Sequence, residues 1–160
     1  MSAHTAVLAA RNLLENLTPL KTDCSRLCQG ACCQGDEKTG MLLFPGEEAF
    51  YENCTFARII PAGFMLGGKD ALLLVCNGTC DRENRPLACR LFPLFLKFKE
   101  DGVTKLRMDV RAKAVCPLTD YGIKALDTDF KQAARTAYDI LLEDADCAAY
   151  LRELDEAFSL

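Results

Sequence analysis

The sequence predicts a small α+β domain in which helices surround a short antiparallel hairpin or sheet and the carboxyl terminus is helical. An apolar stripe at helical spacing covers residues 5–17, and alternating residues flank a turn dipeptide between positions 94 and 110. Two further apolar stripes follow within residues 120–160. The chain has 160 residues, which is the usual size of one domain, so we expect residues 1–160 to form a single unit.

The amino-terminal stripe predicts a helix over residues 5–17 that ends at Pro19. The hairpin is predicted from Leu94–Lys99 and Lys105–Val110, which flank the turn residues Asp101 and Gly102. The apolar residues of the predicted hairpin and the turn before it should form an aromatic wall over a functional site. These residues are Phe92, Phe95, Leu96 and Phe98.

The middle of the chain gives weaker signals. In residues 44–51, Pro45 and Gly46 precede two glutamates, which is typical of a helix start. The continuous apolar run Ala71–Val75 predicts a buried strand that ends at Cys76. We interpret Ile59–Gly68, which contains one proline and three glycines, as a connection.

Composition excludes several classes of protein. The net charge is −4 and the sequence pI is about 5.1, whereas binding to a phosphate backbone calls for a basic surface, so a nucleic-acid partner is disfavoured. No apolar stretch reaches the length of a bilayer span, so we expect no membrane association. The first residues have no basic residue ahead of their short apolar run, unlike a secretory signal, which favours a cytoplasmic location.

Ten cysteines stand out in this composition, and four of them lie between positions 24 and 33. Cys24, Cys28 and Cys32 would share one face if the segment were helical, while the adjacent Cys33 would project elsewhere. Metal ligation, disulfides and redox catalysis all use such clusters. In a reducing cytosol, metal ligation or catalysis is favoured over disulfides.

Further cysteines follow in places suited to ligation. Cys76 and Cys80 flank a turn that contains an Asn-Gly pair, which would let both sulfur atoms face one point. Cys89 lies between two arginines, whose charges stabilise a thiolate. Cys116 precedes a proline, as ligating cysteines do in some iron–sulfur proteins.

Three residues of ligand type are predicted to have other roles. Cys54 follows a short helix without a partner nearby in sequence, and Cys147 lies on an apolar helix face, so both are interpreted as packed thiols. His4, the single histidine, precedes the first predicted helix and is interpreted as a solvated side chain in a frayed terminus.

Eight candidate ligands then remain, which is two sets of four, the ligand number of structural zinc and of cubane iron–sulfur clusters. They define a cysteine-cluster metal-binding region at residues 24–117. Eight thiolates carry more charge than two divalent ions neutralise, which predicts arginine donors to sulfur. The predicted ligands are Cys24, Cys28, Cys32, Cys33, Cys76, Cys80, Cys89 and Cys116. The predicted arginine donors are Arg26, Arg82, Arg85, Arg90 and Arg111.

The order Cys-x3-Cys-x3-Cys-Cys, a later cysteine pair, Arg-Pro-x-x-Cys-Arg-x-Phe-Pro and a final Cys-Pro resembles the YkgJ-type cysteine-cluster family. The resemblance covers residues 24–117. It implies a zinc- or iron-chelating domain whose ligands are the eight cysteines, with Arg85, Pro86 and Arg90 as the accompanying signature. It implies no defined reaction, although similar modules are attached to methyltransferase-like proteins such as flagellin lysine methylases.

The sequence therefore predicts a cytosolic metal-binding protein, with zinc as the favoured ion and iron or an iron–sulfur cluster as the alternative. An iron–sulfur protein acting in electron transfer, or as part of a methyltransferase-type enzyme, is the second hypothesis. Thiol catalysis is the third hypothesis. The sequence contains neither a Cys-x-x-Cys pair nor a histidine near a cysteine, so it gives this hypothesis no support. The spacing also differs from the Cys-x3-Cys-x2-Cys of radical enzymes. The sequence names no substrate and no protein partner, and it leaves open whether the protein is an enzyme.

Overall fold

A computed structural model describes residues 1–20, 40–76, 82–114 and 116–158. This part of the chain is a small α+β arrangement with antiparallel strands and a helical carboxyl-terminal region, which confirms the predicted fold class. The helices are α1 (Ala3–Leu13), α2 (Leu87–Leu91), α3 (Thr128–Leu142) and α4 (Ala145–Phe158). The strands are β1 (Met41–Leu42), β2 (Ala57–Leu66), β3 (Lys69–Cys76), β4 (Leu94–Phe98) and β5 (Thr104–Met108).

Strands β4 and β5 form the hairpin that the sequence predicts. They pair antiparallel from Leu94 opposite Met108 to Phe98 opposite Thr104. Gly102 adopts a φ of 84°, which a residue with a side chain tolerates poorly, and the amide of Gly102 donates to the carbonyl of Lys99 at 2.9 Å. The turn dipeptide therefore sets the strand register, as expected.

A second, three-stranded sheet has the order β1-β3-β2. The prediction that Ile59–Gly68 is a connection is wrong, because most of it belongs to β2. Within the described residues β2 pairs with β3 alone, and a strand at a sheet edge tolerates a proline such as Pro61. The register shifts between Pro61 and Met65, around Gly63 with its φ of 90°, so the glycine marks a bulge rather than the end of a strand.

Helix α1 is shorter than predicted, and the predicted apolar stripe is buried only in part, at Val7 and Leu14. It ends at Leu13, well before Pro19, and its amino terminus is capped by Ser2, whose hydroxyl accepts the amide of Thr5 at 3.2 Å. Leu8 and Leu13 are exposed, whereas the charged Arg11 is buried. The side chain of His4 is exposed as predicted, but it lies within α1 and its ring stacks on Phe50 at 4.7 Å.

The carboxyl-terminal region contains two helices that bury the predicted stripes. Helix α3 begins after short 3₁₀ turns rather than directly at Asp120, and Asp127 caps it by accepting the amide of Phe130 at 3.2 Å. Asp144 separates the helices and accepts the amide of Cys147 at 2.9 Å. Phe130 is fully buried in the main core, so these two helices and α1 share one hydrophobic interior with the β4–β5 hairpin.

The predicted aromatic wall belongs to this main core. Phe95 and Leu96 are buried in it, and Phe92 and Phe98 pack against it. A smaller cluster beside the three-stranded sheet contains Leu43, Tyr51 and Leu74. In the described part of the chain, every helix is too short or too polar to cross a bilayer.

Candidate functional site

The predicted ligands divide into two groups. Five of them, Cys24, Cys28, Cys32, Cys33 and Cys80, lie outside the described residues. The other three, Cys76, Cys89 and Cys116, are described. Across the described ranges, no group of three or more histidine, cysteine, aspartate or glutamate side chains has the arrangement of a metal site. The eight-cysteine ligand set therefore stays a prediction.

Cys76 is the last residue of β3, as the sequence predicts. The strand pairing places it opposite Ala57 of β2, and its half-buried side chain packs against the smaller cluster. Pairing with β2 therefore holds the backbone of Cys76 in a defined position.

Cys89 lies in the middle of the short helix α2. Pro86 occupies the cap position before this helix, where a missing amide hydrogen costs nothing. The flanking residues Leu87 and Leu91 are buried in the main core, while Cys89 itself is half-buried on another face. The Arg-Pro-x-x-Cys-Arg sequence thus forms one anchored helical turn that carries the thiol.

Cys116 is more deeply enclosed, with 7% of its surface exposed, and it belongs to the main core. Its amide donates to the carbonyl of Ala112 at 2.7 Å, and its carbonyl accepts the amide of Thr119 at 3.2 Å. Pro117 opens the following 3₁₀ turn. Backbone hydrogen bonds therefore fix the position of Cys116 on both sides.

The structure describes the residues that directly precede and follow residues 21–39. At one end, the carbonyl of Pro19 accepts the amide of Asp127 at 2.7 Å, beside the start of α3. At the other end, Met41 pairs with Leu74, and a Cβ atom on Gly40 would lie 2.4 Å from the carbonyl oxygen of Leu74. Gly40 therefore lies against β3 close to Cys76, the last residue of that strand.

A buried polar network lies beside these elements, and the sequence analysis did not find it. Glu47, with 0% exposure, accepts Arg11 Nη1 at 3.0 Å, the amide of Leu87 at 2.7 Å and the amide of Phe44 at 3.1 Å. Arg11 Nη1 also donates to the Tyr51 hydroxyl at 2.8 Å, and that hydroxyl donates to the carbonyl of Asn84 at 2.9 Å. The network thereby connects α1 and the Glu47–Tyr51 turn to the segment that carries Cys89.

Burial dominates the electrostatics of this network. It raises the pKa of the Glu47 carboxyl, against the lowering effects of the Leu87 amide and the Arg11 charge. Burial likewise raises the pKa of Tyr51, and the charge of Glu47 adds to that rise. Because the pKa of Tyr51 rises, its hydroxyl remains a hydrogen-bond donor across the usual pH range.

Two of the predicted arginine donors, Arg90 and Arg111, bond to oxygen atoms within the described part of the chain. Arg90 donates to three backbone carbonyls. Its Nε bonds to that of Arg85 at 2.8 Å, its Nη1 to that of Arg11 at 3.0 Å and its Nη2 to that of Glu83 at 2.7 Å. Arg111 donates to both carboxylate oxygens of Asp109, at 3.0 and 2.6 Å. The guanidinium of Arg90 therefore holds the loop before α2 against α1.

The two cysteines outside the ligand set lie where packing was predicted. Cys54 is half-buried against the smaller cluster, and its thiol donates to the carbonyl of Ala57 at 3.2 Å. Cys147 is completely buried in the main core. Burial raises the pKa of the Cys147 thiol to about 12, and the nearby charge of Asp144 contributes to the rise.

We expect Cys147 to resist alkylation in the native protein at pH 8, whereas Cys54 should react. Mass spectrometry of peptides after mild iodoacetamide treatment measures both sites, and Cys54 is the matched control. Equal labelling of the two thiols would contradict this prediction.

Because the folded pKa of Cys147 is raised from its ordinary 9.0, the stability that it contributes should persist below about pH 9 and be lost towards pH 12.

The chain matches no protein-family model, and no curated protein or solved structure matches it at a significant level. The resemblance to the YkgJ-type family therefore stays a prediction that rests on the spacing of the cysteines and the arginine-proline signature.

Proposed function

We propose that this protein is a metal-binding protein whose cysteines hold one or two metal ions, with zinc as the favoured ion. The ligands proposed are the four cysteines of residues 24–33 together with Cys76, Cys80, Cys89 and Cys116. Bound metal would connect residues 21–39 to the sheet and to α2. The proposal makes the protein cytosolic, since reducing compartments keep thiols available for metal.

The position of Gly40 is the observation that carries the proposal. Residues 21–39, with four cysteines, join the fold at Gly40 against β3, close to where Cys76 ends that strand. Residues 77–81, with Cys80, follow Cys76 directly in the sequence. Two cysteine-bearing segments that are remote in sequence therefore start from neighbouring points, which is the connectivity that a shared metal site needs.

The chemistry of the donor set also fits zinc. Thiolates are soft ligands, and sets of four are typical of structural zinc sites. The described candidates come from three different elements, β3, α2 and the turn at Cys116, whose backbones are fixed by strand pairing, burial and hydrogen bonds. When bound, zinc would supply cross-links between these elements and no redox chemistry.

Metal removal tests the proposal directly. Protein purified without oxygen should contain stoichiometric metal by elemental analysis, and chelation under reducing conditions should lower the melting temperature by 10 °C or more, on the order of several kcal/mol of lost binding energy. Unchanged melting after complete chelation, or purified protein that contains no metal and binds none, would contradict it.

Individual ligands can be tested with a matched pair of variants. Cys89→Ser should reduce zinc affinity at least tenfold because a thiolate ligand is lost, whereas Cys54→Ser should leave affinity unchanged. Both side chains are half-buried, so the pair controls for the removal of a partly buried thiol. Competition with a chromophoric chelator measures the affinities, and equal values for the two variants would exclude Cys89 as a ligand.

An iron–sulfur cluster is the second candidate, and the Cys116-Pro117 dipeptide favours it. The same anaerobic preparation separates the two candidates. Iron and acid-labile sulfide with visible absorption would support the cluster, whereas a colourless protein with zinc alone would exclude it. Only the presence of a cluster would support a role in electron transfer or beside a methyltransferase.

A further inference from the structure

Arg107 lies on β5, directly across the hairpin from Phe95 of β4. Its guanidinium carbon lies 5.4 Å from the centroid of the Phe95 ring, and Phe95 is only 4% exposed. The aromatic ring therefore lies within cation–π distance of the guanidinium. Arg107 as a whole is half-buried.

The Nε and Nη2 atoms of Arg107 are both buried, and neither has a hydrogen-bond acceptor within the described residues. These two nitrogens form one edge of the guanidinium, which is the edge that binds carboxylate and phosphate oxygens in pairs. A buried N–H group without an acceptor is costly, and the cost is greater for a charged donor. The arrangement therefore calls for an oxyanion.

Two carboxylates beside the hairpin form ion pairs with other cations. Both oxygens of Asp109 accept from Arg111. Asp155 accepts the amide of Phe98 at 3.1 Å through Oδ2, and its Oδ1 lies 3.7 Å from Lys97 Nζ but makes no hydrogen bond within the described residues. Neither carboxylate makes a hydrogen bond to Arg107 in the structure.

A second cation lies beside the same ring. The guanidinium carbon of Arg111 is 5.9 Å from the Phe95 ring and 4.6 Å from the ring of Phe158 in α4. Two guanidinium groups thus concentrate positive charge around Phe95.

We propose that the Nε–Nη2 edge of Arg107 binds an oxyanion of the phosphate or carboxylate type, at a site separate from the cysteines. The two N–H groups donate in parallel to two oxygens of the anion, and Phe95 supports the guanidinium from behind. Arg111 adds positive charge beside the site, while its Nε and Nη2 atoms stay bonded to Asp109.

Inorganic phosphate, acetate and chloride, titrated at matched ionic strength into the full chain as purified, test the site. The side-chain Nε–H resonance of Arg107 in a ¹H–¹⁵N spectrum should shift saturably with phosphate or acetate, and whichever binds more tightly identifies the class of ligand. It should not respond to chloride. This measurement needs no variant, and it is independent of metal content.

Arg107→Lys keeps the charge but removes the paired donors, so it should weaken anion binding at least tenfold. Arg152→Lys is the matched control, because Arg152 is exposed and its guanidinium stacks on Phe98 at 5.6 Å on the same hairpin. Saturable binding that Arg107→Lys leaves unchanged, or an Arg107 resonance that responds equally to chloride, would overturn the proposal.

Discussion

Replacing Glu47 with alanine is expected to lower the free energy of unfolding by about 3–5 kcal/mol, because it removes one partner of a buried ion pair. The Arg11 guanidinium, whose side chain is 8% exposed, would lose its counterion. The amides of Leu87 and Phe44 would lose their acceptor as well. Each of these groups is buried, so water cannot replace the lost carboxylate without the structure opening.

Urea denaturation measures the effect, with Glu52→Ala as the matched control because Glu52 is exposed and ends the same 3₁₀ turn. The control should change stability by less than about 0.5 kcal/mol. Glu47→Gln should fall between the two, since its amide can accept at one position but must present N–H groups to donors at the other. A Glu47→Ala variant as stable as the Glu52→Ala control would show that the network contributes no net stability.

Tyr51→Phe is a milder probe of the same network, suited to a case in which Glu47→Ala does not fold. It removes the hydroxyl that accepts from Arg11 and donates to the carbonyl of Asn84. We expect a loss of about 1–3 kcal/mol, because the Arg11 guanidinium and the Asn84 carbonyl each lose one hydrogen bond. The same denaturation measurement applies.

The network shows what the sequence could not predict. Arg11 lies among polar residues of α1 and Glu47 in the first turn of a 3₁₀ helix, positions that ordinarily face solvent. Arg11 contacts Glu47 and Tyr51, which lie 36 and 40 residues away along the chain, so no local sequence pattern predicts these contacts. Only the structure shows that Leu8 and Leu13 face solvent while Arg11 is buried.

Elements with strong local signals were predicted well. The β4–β5 hairpin has alternating residues and a turn dipeptide, and α3 has a sustained 3.6-residue stripe that includes Phe130 and Tyr138. Strand β2 was missed because Pro61 and Gly63 usually end strands. Both are tolerated here because β2 lies at an edge and contains a bulge, which are properties of the sheet rather than of the segment.

The candidate site was predictable in composition but not in geometry. Spacing selects thiolates as donors, and it separates Cys54 and Cys147 from the set, in agreement with their packed positions. Spacing does not show that Gly40 approaches the end of β3, because that approach depends on the pairing of β1 with a strand more than thirty residues later. The charge of eight thiolates predicted Arg90 as a donor to sulfur. In the described part of the chain, Arg90 donates to backbone carbonyls.

Gly40→Ala is expected to lower metal affinity tenfold or more. A Cβ atom at this position would lie 2.4 Å from the carbonyl oxygen and 2.9 Å from the carbonyl carbon of Leu74, so the chain must move away from β3. Relief of such overpacking costs about 1–3 kcal/mol of stability. The movement would also displace the point at which residues 21–39 join the fold, beside Cys76.

Gly68→Ala separates the two effects. Gly68 lies in the turn at the opposite end of β3 from Cys76, and its φ of 79° makes alanine costly there although no atom lies within 4 Å of the added carbon. Both variants should lose stability, but only Gly40→Ala should lose metal affinity in a competition titration with zinc. If the two variants bound zinc equally well, the approach of residue 40 to β3 would have no part in assembling the site, and the cysteines of residues 24–33 would have to reach their metal independently of that strand.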